Sequence, residues 1–244
     1  MFDNLTVMIL AAGQGKRMQS DKAKVLHEIN GRPMLFYVMD AARGVAGDSL
    51  VVVVGHQHKL VRETALQNGP ARFALQHRQN GTGDAVMAGM AALPDTAQRV
   101  LILCGDVPLI SVATLEAFVA NHLAQKAQVS VLGVRQENPF GYGRIVQDNE
   151  GWPLGIVEEA DADEAQKAID IVNSGIYCVE AGALYHTLPM IENNNAQGEV
   201  YLTDIIAIAR ELGYKTALYL SADAHEVLGV NTVQELQKVA SLKN

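Results

Sequence analysis

The feature that most constrains the fold is an apolar run at residues 7–10 that leads directly into a turn with two glycines. Four consecutive apolar residues are too short for a helix and are typical of a buried parallel strand. Three cations follow the turn, Lys16, Arg17 and Lys24. Glycine lets backbone N–H groups turn toward an anion, and the cations add positive charge. The segment therefore predicts a polyphosphate site at the carboxyl end of the first strand.

Two common phosphate-binding loops do not fit this segment. A dinucleotide fingerprint needs a third glycine where Met18 stands, and a P-loop needs Ser or Thr where Arg17 stands. A Rossmann-type oxidoreductase is therefore disfavoured. A tight strand-to-helix turn with surface cations stays open as an alternative, since short glycine-rich motifs often occur without such a function.

Composition and charge narrow the function classes. The chain has 244 residues, 49% of them hydrophobic, which suits one large domain or a domain with a small lobe. A net charge of −8 disfavours a nucleic-acid partner. No apolar run approaches a membrane span and no secretion signal precedes residue 12, so we expect no membrane partner and a cytoplasmic location. The two cysteines, Cys104 and Cys178, suit neither a disulfide framework nor a zinc site.

Apolar runs and helical patterns alternate as far as residue 138. Strands are predicted at residues 50–54, 72–75, 100–104 and 129–134, and helices at 33–45, 59–66, 84–93 and 111–124. This alternation favours an α/β, Rossmann-like fold with a mainly parallel sheet and helices on both faces. Ligands of such sheets bind beyond the carboxyl ends of the strands.

The pattern changes after residue 138. Two short strands joined by a turn at 149–151, and a further strand over 169–179, predict a small β-rich lobe, so that the sheet becomes mixed. Helices are predicted at 201–212 and 233–242, with a strand at 216–220 between them.

The glycine-containing segment reads LAAGQGKRM and is followed by K-V-L. It resembles the signature of sugar-1-phosphate nucleotidylyltransferases, L-A-A-G-x-G-T-R-M followed by P-K, with Lys16 in place of Thr and Ala23 in place of Pro. The resemblance implies their nucleotide-diphospho-sugar transferase fold, and it assigns catalytic roles to Arg17 and Lys24. It further implies that the substrate contacts Leu10, Ala11, Ala12, Gly13 and Lys24.

A second motif, G-D-V-P-L, follows the strand predicted at 100–104. A carboxylate at a strand end can hold Mg²⁺ against a triphosphate, because Mg²⁺ prefers one or two carboxylates together with phosphate oxygens. For a lone Gly-Asp pair, a turn aspartate is the plain alternative. The motif resembles the metal-binding element of the family, which implies a Mg²⁺ ligand at Asp106 and substrate contacts at Cys104 and Gly105.

The other magnesium ligand is suggested by G-V-N near the C-terminus. In the family, the asparagine of this motif binds both metal and substrate, which places these roles on Asn231. From the sequence pattern alone, Asn231 would be the N-cap of the last helix.

A third motif reads Q-x-x-Q-x-G-T, from Gln76 to Thr82. A glutamine at a strand end can offer a donor and an acceptor together to a base edge, and a glycine permits close approach. A helix-start turn at Thr82 is the structural alternative, and both can hold together. The motif resembles the uracil-contacting pattern of UDP-sugar pyrophosphorylases of the N-acetylglucosamine type. Substrate contacts are therefore expected at Gln76, Gln79, Gly81 and Thr82.

Short motifs after residue 138 resemble the sugar-binding elements of the family. They are G-Y-G-R with Gly143, I-V-E with Glu158, and N-S-G-I with Asn173, where Ser174 replaces Thr. The resemblance implies that glycine N–H groups and the side chains of Glu158 and Asn173 bind the sugar hydroxyls and the acetamido group. The run NNNAQGEVYLTD at 193–204 is close to one typical of bacterial N-acetylglucosamine-1-phosphate uridyltransferases.

Together these matches cover residues 10–231 and imply Mg²⁺-dependent transfer of UMP from UTP to N-acetylglucosamine 1-phosphate. The products would be UDP-N-acetylglucosamine, a cell-wall precursor, and pyrophosphate. A different sugar 1-phosphate or nucleotide, and a non-catalytic nucleotide-sugar binder, stay open as alternatives. We expect a nucleotidylyltransferase domain over 1–230 and a helix that starts a linker over 231–244. The β-helix acetyltransferase domain of the bifunctional enzymes is expected to be absent, and self-association is left open.

Overall fold

The computed structural model describes residues 1–243, apart from the side chain of Lys16. Within this range the chain forms a large α/β unit. Its strands and helices are, in chain order, β1 (Leu5–Ala11), β2 (Glu28–Ile29), β3 (Arg32–Pro33), α1 (Met34–Ala46), β4 (Leu50–Val54), α2 (His58–Gln67), β5 (Arg72–Leu75), α3 (Thr82–Met90), β6 (Arg99–Cys104), α4 (Val112–Gln125), β7 (Val129–Arg135), β8 (Arg144–Gln147), β9 (Pro153–Val157), α5 (Glu164–Lys167), β10 (Ile171–Glu180), α6 (Ala181–Thr187), α7 (Ile205–Glu211), β11 (Thr216–Leu220) and α8 (Val233–Leu242).

The main sheet has the strand order β11-β7-β10-β6-β1-β4-β5. β1 pairs in parallel with β4 and β6, β4 pairs in parallel with β5, and β11 pairs in parallel with β7. β10 runs antiparallel between β6 and β7 and also contacts β8, which forms a hairpin with β9. The prediction of an α/β fold with a mainly parallel, mixed sheet and a β-rich addition is therefore confirmed.

Apolar cores cover both faces of the sheet. Along β1, Val7 and Ile9 belong to the core under α1 and α4, whereas Met8 belongs to the core under α3 and α7. Successive side chains of a strand point to opposite faces, so a strand that is covered on both sides must be apolar throughout. All five residues of β4 are buried for the same reason. This is why short continuous apolar runs predicted the central strands.

Some predicted helix boundaries agree with the structure and others differ by a few residues. Ser111 caps α4 by accepting a hydrogen bond from Thr114 N at 3.1 Å, as its position predicts. The helix predicted at 201–212 begins later, at Ile205, after a 3-10 turn at Leu202–Asp204. The helices α5 and α6 were not predicted, because both are short and weakly periodic.

The last helix packs on the body of the domain. Val230 and Val239 form a small apolar cluster with Met18, Ile29 and Met34, which lie near the loop after β1. The helix therefore supports the loop that carries the cations. Whether residues 231–244 begin a linker stays a prediction. None of the described helices combines the length and the apolar character that crossing a bilayer requires.

Candidate active site

A cavity of about 300 Å³ lies at the carboxyl ends of the central strands β1 and β6. It is where a doubly wound sheet is expected to bind its ligand. Most of its lining was predicted from the sequence. The predicted residues that line it are Leu10, Ala12, Gly13, Lys24, Gln76, Gln79, Gly81, Thr82, Cys104 and Asp106.

Two predicted residues of the nucleotide side lie behind this lining. Ala11 is 1% exposed and packs in the core on the opposite face from Ala12, because side chains alternate along β1. Gly105 N donates to Leu10 O at 2.9 Å, and a Cβ at Gly105 would lie 3.0 Å from that oxygen. Gly105 therefore keeps the ends of β1 and β6 close together.

Charged and amide side chains from three parts of the chain converge at one end of the cavity. Lys24 Nζ donates to the carboxylate of Asp106 and, at 2.7 Å, to Asn231 Oδ1. Arg17 Nη2 donates to the same Asn231 oxygen at 2.9 Å. The Lys24 and Asp106 side chains are 14% and 21% exposed, so both are held inside the site but remain accessible to a ligand.

The loop after β1 positions Lys24 through its backbone. Gly15 adopts a φ of +71°, and a Cβ there would lie 2.7 Å from Lys24 Cβ, so only glycine fits. The buried neighbours Val25 and Leu26 fix the short turn that carries Lys24. Ala23, which replaces the proline of the family signature, donates its N–H to Gln57 Oε1 at 2.9 Å. A proline could not make this bond, so Gln57 supplies a different support for the turn.

The opposite end of the cavity is built around Gln76, which is only 4% exposed. Gln76 Nε2 donates to Gly81 O at 3.1 Å and to Asp84 Oδ2 at 2.7 Å. The sequence suggested that both the donor and the acceptor of this amide would face a base. In the structure its donor is held by the protein, which leaves the acceptor Oε1 for a ligand.

Gly81 and Thr82 connect this end to the segment before α7. Gly81 has a φ of +108°, and a Cβ there would lie 2.5 Å from Val200 O. Thr82, the first residue of α3, accepts a hydrogen bond from Leu202 N at 3.0 Å. The structural and the ligand-binding interpretations of this turn are therefore compatible.

Cys104 lies in the wall between the cation cluster and β10. Its thiol donates to Gly175 O at 3.5 Å. Burial, and then the negative charge of Asp106, raise the pKa of Cys104 to about 12. The thiol is therefore protonated at neutral pH and acts as a small, neutral wall residue.

The residues predicted to bind sugar form a neighbouring group. Gly143 O accepts a hydrogen bond from Asn173 N at 2.9 Å, and a Cβ at Gly143 would lie 3.3 Å from Glu158 Oε2. Glu158 also lines a second cavity of about 320 Å³ together with Asp161 and Asp204. Burial raises the pKa of Glu158, and the charges of these two aspartates raise it further, while Thr203 and Arg144 lower it.

Comparison with known proteins decides the family. Residues 7–175 match the MobA-like NTP transferase domain. The bifunctional protein GlmU of Desulfotalea psychrophila is 46% identical over 232 residues, which are 95% of this chain and 68% of that protein. The chain belongs to the MobA-like NTP transferases and, within them, to the GlmU proteins.

Other GlmU proteins match over less of their own length. The GlmU of Pelobacter propionicus is 45% identical over 98% of this chain and 52% of its own length, and that of Geobacter metallireducens is 47% identical over 96% and 49%. The chain thus spans about half the length of these two relatives. A crystal structure from Bacillus anthracis, of a candidate glucose-1-phosphate thymidylyltransferase with sucrose, covers 98% of this chain and 94% of its own at a TM-score of 0.75. At 18% identity, this likeness shows the fold alone.

Membership of this GlmU family confirms the prediction of a nucleotidyltransferase. The family also implies dependence on a divalent metal, which can be tested against the residues present. The Asp106 carboxylate and the Asn231 amide oxygen converge on the same point, at the Lys24 ammonium. Hard oxygen donors of this kind suit Mg²⁺, which commonly takes one or two protein ligands and completes its shell with water and phosphate. Among the described residues no group of three or more His, Cys, Asp or Glu side chains could hold a metal.

Two polar residues that line the cavities were not assigned from the sequence. Glu199 lines the first cavity, and Tyr201 lines the second. Burial and then the nearby Asp161 raise the pKa of Tyr201 to about 12, and within the described part of the chain its buried hydroxyl has no hydrogen-bond partner. Both residues lie in the run at 193–204 that resembled the family, which was the available signal. The pattern marked the segment but did not show which side chains face the cavities.

Proposed function

We propose that the chain is a UDP-N-acetylglucosamine pyrophosphorylase, which transfers UMP from UTP to N-acetyl-α-D-glucosamine 1-phosphate and releases pyrophosphate. The observation that carries this proposal is the convergence of Lys24, Asp106 and Asn231 at the end of a cavity whose other end contains the buried Gln76. The positive charge of Lys24 and the oxygen ligands of Asp106 and Asn231 lie where the phosphates would bind. The acceptor oxygen of Gln76 lies where the base would bind.

The chemistry needs no nucleophile from the protein. The phosphate oxygen of the sugar 1-phosphate is already ionised at neutral pH and attacks the α-phosphorus in line. The new P–O bond forms as the bond to the β-phosphate oxygen breaks, and pyrophosphate leaves with the electron pair. Catalysis then consists of positioning the two phosphates and neutralising their charge.

Each charged residue has one task in this scheme. Lys24 stabilises the charge around the α-phosphate, and Arg17, which is exposed at the mouth of the site, neutralises the leaving pyrophosphate. Asp106 and Asn231 would hold Mg²⁺, which when bound supplies further neutralisation of phosphate charge. The hydrogen bonds within the protein hold these side chains in place to receive the reacting groups.

A preference for uracil is supported by the hydrogen bonds of Gln76. Because Gly81 O and Asp84 hold its Nε2, the remaining Oε1 can accept a hydrogen bond but not donate one. Uracil has an N3–H donor, whereas N3 of cytosine is an acceptor. UTP is therefore expected to bind better than CTP.

The acceptor would bind beside Gly143, Glu158 and Asn173, since Gly143 bonds to the backbone of Asn173 and lies against the Glu158 carboxylate. We include in the proposal a role in cell-wall precursor synthesis, a cytoplasmic location and Mg²⁺ as the metal. The proposed partners are UTP, N-acetylglucosamine 1-phosphate and their products. The proposal includes no nucleic-acid or membrane partner.

The direct test is a coupled pyrophosphate-release assay with UTP, N-acetylglucosamine 1-phosphate and Mg²⁺, with and without chelator. A panel that replaces UTP by CTP or dTTP, and the acceptor by glucosamine 1-phosphate, glucose 1-phosphate or N-acetylmuramic acid 1-phosphate, defines specificity. Turnover that is fastest with the proposed pair and is abolished by chelator supports the proposal. Tight UTP binding by calorimetry without turnover of any pair would instead indicate a non-catalytic binder.

A charge-removing variant tests the metal-binding role. Asp106→Asn is expected to reduce kcat/KM by a factor on the order of 10²–10³, the usual effect of losing one electrostatic group. Asp95→Asn is the matched control, since Asp95 is exposed and lies before the opposite end of β6. Equal activities of the two variants would contradict the assignment of Asp106.

A further inference from the structure

An ion pair between a buried arginine and a partly exposed glutamate lies behind the predicted sugar-binding loop. Arg144, the first residue of β8, is 2% exposed, and its Nη2 donates to Glu159 Oε2 at 2.6 Å. Arg144 also donates to the backbone oxygens of Tyr142 and, at 3.4 Å, of Lys167. The guanidinium therefore has three partners, and two of them belong to the main chain.

Glu159 completes the arrangement from the other side. Its Oε2 accepts the N–H of Gly141 at 3.1 Å in addition to the bond from Arg144. The pair thus holds a donor of Gly141 and the acceptor of Tyr142, which are consecutive residues of one loop. The next carbonyl, that of Gly143, accepts a bond from Asn173 N at 2.9 Å.

Side-chain packing explains the position of this loop only at Tyr142. Gly141 has no side chain, and the preceding Phe140 is 75% exposed. Tyr142 is half-buried and packs against the core under α1 and α4. The rest of the loop conformation depends on backbone hydrogen bonds, and the ion pair supplies two of them.

Burying Arg144 is a poor device for stability alone. Removing its charge from water is unfavourable and is only partly offset by Glu159, whose side chain is 25% exposed, and apolar residues of similar volume often stabilise a core as well or better. One hydrogen bond joins Arg144 to Glu159, and two more join the pair to the loop backbone at Gly141 and Tyr142. Their contribution is to fix a conformation.

We propose that Arg144 and Glu159 are positioning residues for the acceptor sugar phosphate. They set the backbone of residues 141–143, and Glu159 at the same time fixes the chain at its neighbour Glu158. This inference rests on the proposed function, which places Gly143 and Glu158 at the acceptor. Neither residue is among those lining the cavity that holds Lys24, Asp106 and Gln76, so the pair acts on one substrate only.

The test separates the two substrates kinetically. Glu159→Gln keeps an acceptor for Gly141 but leaves the Arg144 charge unpaired, and Arg144→Lys keeps the charge but loses the planar fork. Each variant is expected to raise the KM for N-acetylglucosamine 1-phosphate by about tenfold, with the KM for UTP and kcat within about twofold of the wild type. Glu159→Asp, which retains the charge, should recover part of the loss. Asp170→Asn is the control, because the exposed pair of Asp170 with Arg135 has the same 2.6 Å separation.

Equal increases in both KM values, a fall in kcat alone, or no change would overturn the proposal. A second measurement is independent of turnover. Hydrogen exchange of the segment at residues 138–143, measured without substrate, should be faster in Glu159→Gln than in the wild type and unchanged in Asp170→Asn. If the wild type proved inactive with the proposed substrates but the exchange difference were found, loop positioning would stand and the proposed function would fail. Unchanged exchange in both pair variants would refute positioning of the loop.

Discussion

Replacing Lys24 by Ala is the change whose effects on catalysis and on stability should differ most. Lys24 Nζ bonds to two oxygens, those of Asp106 and Asn231, in a site that remains partly open to solvent. In the proposed reaction the same ammonium stabilises charge around the α-phosphate, where it is most needed in the transition state. The variant removes this charge while leaving the backbone turn in place.

The two magnitudes can be compared from the structure. A charge-assisted hydrogen bond contributes about 1.5–3 kcal/mol when buried. Because Asp106 is 21% exposed and can be rehydrated, the expected loss of unfolding free energy is smaller, about 1 kcal/mol. That corresponds to a fall in Tm of roughly 2–4 °C for a chain of this size. Loss of a preorganised electrostatic group lowers the rate by a factor on the order of 10²–10³, or about 2.7–4 kcal/mol of activation free energy.

The assay is pyrophosphate release under saturating UTP and acceptor, accompanied by thermal unfolding of each protein. Lys22→Ala is the matched control, because Lys22 lies two positions earlier and pairs with Glu28 at 3.1 Å on the surface. The control should retain almost full activity. Lys24 donates to the same two oxygens that would bind the metal, so its removal is not expected to weaken the affinity for Mg²⁺.

Near-normal turnover by Lys24→Ala would refute the catalytic role. A rate loss accompanied by a fall in Tm well above the expected few degrees would refute it in another way, because the loss would then follow from misfolding. A rate loss that disappears at high Mg²⁺ concentration would show weakened metal binding, and would move the role of Lys24 from the phosphates to the metal.

Three further predictions concern stability and reactivity. Gly81→Ala should lower the free energy of unfolding by roughly 2–4 kcal/mol, because φ at this position is +108° and the new Cβ would lie 2.5 Å from Val200 O. Gly182→Ala is the control: the space around Gly182 is open, so this variant should be neutral or stabilising by up to about 1 kcal/mol. Urea titration measures both free energies. Burial raises the pKa of Cys104 to about 12, so this thiol should resist iodoacetamide near pH 8 in the folded protein and react after unfolding. Mass spectrometry can follow the labelling, and rapid labelling of the folded protein would contradict the prediction. Burial lowers the pKa of His122 below its ordinary 6.5, so the unfolded chain binds a proton there that the folded chain does not, and stability is lost as pH falls through 6.5. Between about pH 7.5 and pH 5.5, wild type should lose up to about 1.4 kcal/mol more than His122→Gln in urea unfolding, and equal losses would exclude this residue as the cause.

The predicted secondary structure was most accurate where a segment is buried on both sides. The run at residues 50–54 became β4 with the predicted bounds, since a central strand must be apolar at every position. The predicted cap at Ser111 was also confirmed, because capping depends on a side chain and a backbone group three residues apart. Both features are decided within a few residues of the chain.

Other features depend on distant parts of the chain. The antiparallel insertion of β10 between β6 and β7 left no local signal that fixes its place in the sheet. At the last helix, the sequence allowed Asn231 as the N-cap, but Thr232 caps it through a reciprocal pair of bonds with Glu235. The Asn231 side chain is thereby free to face Lys24.

The amino-acid sequence by itself determined the central strands, the glycine-containing turn and the kinds of side chain that follow the strand ends. Local periodicity and the conformational freedom of glycine are enough for that. Only the tertiary structure decided that Lys24 meets Asp106, 82 positions away, and Asn231, 207 positions away. It also decided that the side-chain N–H of Gln76 donates to the protein and that the buried Arg144 bonds to the backbone of the loop at residues 141–143. The physical reason is that strand order and the packing of the last helix bring these groups together, and neither is encoded in any short stretch of sequence.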